Sequence, residues 1–160
     1  MIFSKLFSMV LLLVLTVSFS ASGAKKKIKP PSSPQDQAQP QAAAPEDDSQ
    51  IVQAVKNRKD VNFVAGADML VKELLPDDQN GLPHQKWVVQ LSSGQLVQAI
   101  SNLDMCPKIP VKVGDKVGLG GQFIWTKDGG LVHWMHGDPK GLRPNGYVEL
   151  DGKVYCNKAQ

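Results

Sequence analysis

Residues 116–125 limit the fold more than any other part of the chain. Val117, Leu119, Phe123 and Trp125 fall on one side of an extended segment, and Gly118, Gly120 and Gly121 interrupt it. Alternation with a period of two marks a half-buried strand. Glycine weakens a strand interior unless the backbone must bend or another backbone comes close. A long strand carrying three glycines therefore predicts a sharp bend of the kind that closes a small barrel.

The neighbouring segments have the same period and are punctuated by tight turns. Residues 64–75 read as a first strand with Met69 and Val71 inward, ending in the turn formers Pro76, Asp77, Asp78, Gln79, Asn80 and Gly81. Residues 86–92 alternate cleanly, with Trp87, Val89 and Leu91 on one face. Ser93-Gly94 forms a hairpin turn into a strand at 95–101. Lys127-Asp128-Gly129-Gly130 turns into 131–135, and Asp151-Gly152 joins 146–150 to 153–155. Ahead of these strands, Ile51, Val52 and Val55 give residues 49–59 one apolar side, with Ser49 as N-cap and Asp47 and Asp48 at the favourable end of the helix dipole. The expectation is an all-β chain with one short N-terminal helix, folded as a five-stranded barrel like the oligonucleotide/oligosaccharide-binding (OB) barrel. A small β-sandwich is the alternative.

The amino end has another character. Lys5 precedes an apolar run at 9–17, and Ser20-Ala21-Ser22-Gly23-Ala24 supplies small residues for cleavage. This is the pattern of a secretory leader over 1–24, and the run is short for a bilayer span. Residues 25–48, rich in Pro, Gln, Ala and Lys, bury nothing and read as a disordered tether. The domain then occupies 49–160. Of the eighteen Lys and Arg, Lys5 leaves with the leader and Lys25, Lys26, Lys27 and Lys29 sit in the tether, so thirteen remain against fifteen Asp and Glu. That balance argues against a nucleic-acid partner, whose binding rests on neutralised phosphates. Cys106 and Cys156 are the only thiols. In an exported chain an even pair reads as a disulfide, and closing a loop of roughly fifty residues stabilises by about 4 kcal/mol in the chain-entropy model.

The motifs together resemble a known family. Leu74-Leu75-Pro76-Asp77-Asp78, Gly81, His84-Gln85 and Gly94-Gln95 carry the first part of the likeness. Asn102-Leu103-Asp104, Pro107-Lys108-Ile109-Pro110, Gly114-Asp115 and Gly129-Gly130-Leu131-Val132-His133-Trp134 continue it, as do His136, Asp138-Pro139, Gly141 and Gly146-Tyr147. Over about 64–155 the chain is similar to the bacterial exported family DUF3465, and the resemblance implies a barrel without assigning an activity. It departs from the family pattern at Ser101, Lys108 and Met135-His136-Gly137.

Three sets of residues carry candidate chemistry. His133, His136 and Asp138 lie within six residues and could offer nitrogen and oxygen ligands to zinc. On a continuous strand the two histidines point to opposite faces, so they converge only if the strand ends or bulges near Met135. Asp77-Asp78 and Asp104 follow the first and third strands, an order similar to staphylococcal-nuclease-like domains, in which carboxylates at the barrel rim hold calcium. That resemblance would make Asp78 and Asp104 the metal pair of a phosphodiesterase, yet Lys108 stands where the base would be. Trp87, Trp125, Trp134 and Tyr147 are the aromatic candidates for stacking, with Trp87 and Trp125 read as core. Lys140, Arg143 and Lys153 read as solvated surface.

These readings converge on a periplasmic or secreted binding protein, a monomer, in preference to an enzyme. Its partner would be an envelope ligand or protein, with a divalent metal, zinc or calcium, as the candidate cofactor. The expected contact residues are Asp77, Asp78, His84, Asn102, Asp104 and Trp134 at the strand ends, where loops on a rigid scaffold carry function. His133, His136 and Asp138 are the expected metal ligands.

Overall fold

The computed structural model describes residues 45–78 and 81–158. The leader and nearly all of the tether lie outside the described residues. Among those described there are one helix, α1 (Ser49–Asn57), and seven strands. The strands are β1 (Val61–Asp78), β2 (His84–Gln90), β3 (Leu96–Asn102), β4 (Lys116–Thr126), β5 (Gly129–His133), β6 (Tyr147–Leu150) and β7 (Lys153–Tyr155). Two boundaries differ from the expected ones in ways that matter. β1 runs on through Pro76, which sits where the β1–β2 register shifts between Leu75 and Asp78, the place a sheet tolerates a proline. β5 stops at His133, two residues short of Met135.

Hydrogen bonds close five strands into a ring. The first part of β1 pairs antiparallel with β4, from Val61↔Phe123 to Leu70↔Lys116. The second part pairs antiparallel with β2, from Leu70↔Gln90 to Asp78↔His84. Between the two parts the register shifts at Gly66/Met69, and Asp68 takes a left-handed backbone (φ 57°). Such bulges bend a strand, and this one lets a single strand serve two neighbours. β2 pairs with β3, β3 runs parallel to β5, and β5 returns antiparallel to β4. The mostly-β expectation with five principal strands is borne out, with every strand in one sheet.

The glycines of β4 have a specific cause. Along one edge, residues 117–120 pair with β6 and residues 122–126 pair with β5. Gly121 is the junction where β5 leaves and β6 arrives. A Cβ on Gly121 would lie 2.4 Å from the His133 carbonyl oxygen, and one on Gly120 would lie 2.2 Å from the Tyr147 ring. Close approach of neighbours, besides the bend, excludes side chains there.

The core lies inside the ring, where Trp87, Val89, Val97, Ala99, Leu119, Phe123 and Val132 are buried, and α1 adds Ile51, Ala54 and Val55. Trp87 is core as expected, and Trp125 is half-buried against that cluster. Asp48, read as the last tether residue, is buried, and its carboxylate accepts from the N–H and hydroxyl of Ser92 in the β2–β3 turn, both at 2.6 Å. Asp48 thereby takes the N-cap position in place of Ser49 without capping through its side chain. Asp47 accepts instead from the Ser49 N–H at 2.9 Å. Gln85 is a second buried clamp: its amide donates to Ile109 O and accepts from Ile109 N, both at 2.8 Å, holding the proline-flanked connection to the β2 wall.

Candidate functional site

Strand direction brings three strand ends to one edge of the ring. β2 begins at His84, which pairs with Asn102 at the end of β3. β5, parallel to β3, ends there too, at His133. Inward positions of these strands carry Gln85, Trp87, Ala99, Ser101 and Val132, which are buried. His84, Ile100, Asn102 and His133 alternate with them and are half-exposed, so they belong to the outer face.

Trp134 then takes a left-handed backbone (φ 58°). A non-glycine residue held there is strained and is kept by its surroundings. The turn breaks the strand's alternation, so His133 and His136 come to the same pocket. The expected condition, a strand that ends before Met135, is met by this residue. Gly146 locks the turn: its N–H donates to His136 O at 2.8 Å, and a Cβ there would lie 2.1 Å from Trp134 O.

The result is a pocket of about 180 Å³ lined by Leu82, His84, Ile100, Asn102, His133, Trp134 and His136. It gathers all three histidines of the chain. The rings of Trp134 and His136 stand 4.8 Å apart, tilted by 37°. His136 is 5 % exposed and donates from Nδ1 to Gly137 O at 2.8 Å. His84 donates from Nδ1 to Asp78 at 3.3 Å. Two ring nitrogens in this wall, His133 Nε2 and Trp134 Nε1, are buried with no hydrogen-bond partner. Burial, followed by the nearby charges of Arg143, His84 and His136, holds His133 below the ordinary imidazole pKa.

The other expected site residues stand apart from this wall. Asp138 lies in the 134–146 connection, where its oxygens accept from the N–H groups of Lys140, Leu142 and Arg143 at 3.1, 2.8 and 2.9 Å. Those bonds, the one to Lys140 foremost, lower its pKa. Its role is to shape the loop that lays the Arg143 guanidinium over the Trp134 ring, 4.6 Å from the centroid, with Nη1 donating to Gln122 at 3.3 Å. Asp138 consequently does not join His133 and His136, and among the described residues no three His, Cys, Asp or Glu side chains are grouped to hold a metal. Asp77 pairs with Lys108. Asp78 pairs with Lys86 at 3.2 Å as well as His84, and Lys86 first, then His84, holds its carboxylate below the usual range. Asp104 is exposed, and its backbone N–H donates to Asn102 Oδ1 at 2.8 Å.

Cys106 and Cys156 are joined, their Cα atoms 5.2 Å apart, within the span a disulfide bridges. The bond ties the two walls of the pocket. Cys106 lies four residues beyond Asn102, and Cys156 O accepts from the N–H of Gly137, next to His136, at 2.7 Å. Sequence reasoning missed Leu82, Ile100 and Arg143 at this site. The first two give no local signal, and Arg143 reads as surface until the Asp138 loop is seen.

The protein is thus a disulfide-tied β-ring with a histidine- and tryptophan-lined pocket at one rim. Residues 37–156 match the family described as "Protein of unknown function (DUF3465)", and the chain belongs to that family. No curated protein matches the chain. No solved structure matches it.

Proposed function

We propose that this chain is an exported envelope protein, with a leader at 1–24 and a tether that runs from residue 25 and ends before Asp47, whose ring is of the OB kind. It acts as a monomeric binding module, and its ligand is a small polar molecule held in the rim pocket. Among the described residues four buried side-chain atoms have no hydrogen-bond partner, Trp87 Nε1, His133 Nε2, Trp134 Nε1 and Tyr147 Oη, and the reading is carried by the two of them, His133 Nε2 and Trp134 Nε1, whose residues line one pocket. Buried polar groups are almost always hydrogen-bonded, and leaving one unmatched costs about 1–3 kcal/mol. A wall that keeps two of them beside a concavity is built for a partner the chain does not supply. Export is supported by the leader pattern and by the disulfide, which persists in oxidising compartments. Among the described residues no helix is long and apolar enough to cross a membrane.

Nuclear magnetic resonance tests the binding reading. The indole N–H resonances of Trp87, Trp125 and Trp134 are followed while the oxidised full chain is titrated with glycerol, acetate and inorganic phosphate. A saturable shift of the Trp134 resonance, with Trp87 and Trp125 unmoved, is expected for at least one compound. No saturable shift from any of the three would remove the reading.

A further inference from the structure

We propose that the rim pocket is an oxyanion site, taking a small carboxylate or phosphate. The inference rests on the binding role just proposed and goes further, to the charge and size of the ligand. The indole N–H is a donor and nothing else. Trp134 Nε1, buried and unpartnered, therefore asks for an acceptor atom. Asn102, also in the lining, accepts the Asp104 N–H through Oδ1, and its amide nitrogen carries two further donors. No carboxylate lines the pocket. The nearest one, Asp78, is engaged by His84 and Lys86. Arg143 brings positive charge to the wall, its guanidinium lying over the Trp134 ring. His84 and His136 are held in place through Nδ1 by Asp78 and by Gly137 O.

Size sets the other limit. A pocket of about 180 Å³ has room for acetate, phosphate or a short-chain acid. The positive charge that Arg143 brings to the pocket wall from the 134–146 connection is permanent, and the Asp78 carboxylate behind His84 is paired with Lys86.

The test is a titration of the oxidised full chain with acetate, with inorganic phosphate and with glycerol, at constant pH and constant chloride, reading the Trp134 indole resonance. Saturable binding of acetate, of phosphate or of both is expected, and the arm that saturates identifies the oxyanion. Trp134→Phe keeps the ring and removes the donor, and His133→Gln removes the imidazole. Each should weaken binding about tenfold or more, the scale of one hydrogen bond to a charged group, as read from the shifts of the Asn102 and His136 amides. Glycerol saturating where both anions do not would overturn the oxyanion assignment and leave the binding role standing. No response from any compound would overturn both. Anion affinity that both variants leave unchanged would place the ion elsewhere and overturn the proposal.

Discussion

The two ends of the ring use their polar groups differently. At the end covered by α1, Asp48 is buried with both oxygens satisfied by Ser92, and Gln50 accepts from the Ala65 N–H at 3.1 Å. Every polar contact there serves the fold. At the opposite rim the backbone is equally well tied, through Gly146 to His136 and Gly137 to Cys156, yet the side-chain nitrogens of His133 and Trp134 have no partner. The difference teaches which residues are free to act. Polar groups committed to the protein hold it together, whereas two unpartnered nitrogens belong to residues that line a pocket.

The largest effect tests whether the rim is really tied. Opening the disulfide with Cys106→Ser/Cys156→Ser should lower stability by about 4 kcal/mol, seen in denaturant melts. It should also broaden the His136 and Asn102 resonances more than those of α1. Next comes the closed end. Ile51→Ala, at a fully buried position in the core cluster, should cost about 3 kcal/mol and leave the response of the rim pocket to anions intact. Asp48→Ala should cost about 2 kcal/mol, because it leaves Ser92 without its charged acceptor. Loss of the pocket response in either variant, in protein that remains folded, would break the separation between the two ends.

Much of this was legible in the residues themselves. The Trp87, Val89 and Leu91 alternation and the Gly94, Gly129 and Gly152 turns are local signals, and all lie where expected. Trp134 was legible as an aromatic contact residue, but not its conformation. Its left-handed backbone, which turns His136 into the pocket, is imposed by Gly146 and by the close pass at Gly121, both distant contacts. His84 meets His133 only because β3 runs parallel to β5, a pairing that no local pattern encodes. Asp138 was visible as a polar residue beside two histidines, but a carboxylate before a proline serves equally as a loop organiser, and its backbone partners decide the matter. Asp78 reads in the sequence as half of a metal pair with Asp104, whereas Lys86 on β2 and His84 engage it, and Lys108 in the connection after β3 engages Asp77.

A smaller effect concerns pH. Burial lowers the pKa of His133 below 6.5, so between the folded value and 6.5 the unfolded chain holds a proton that the folded chain does not. Stability therefore rises with pH through that window and falls on acidification. Melting temperatures from pH 5 to 7 should show this slope, and His133→Gln should flatten it. An unchanged slope would mean that another group carries it.

The comparison between the two ends rests most directly on one melting experiment, His133→Phe/Trp134→Phe against Asp48→Ala. Removing unpartnered nitrogens should leave the rim variant at least as stable as the parent, while Asp48→Ala melts clearly lower. A rim variant that melts below Asp48→Ala would show that His133 and Trp134 are structural and would contradict the account.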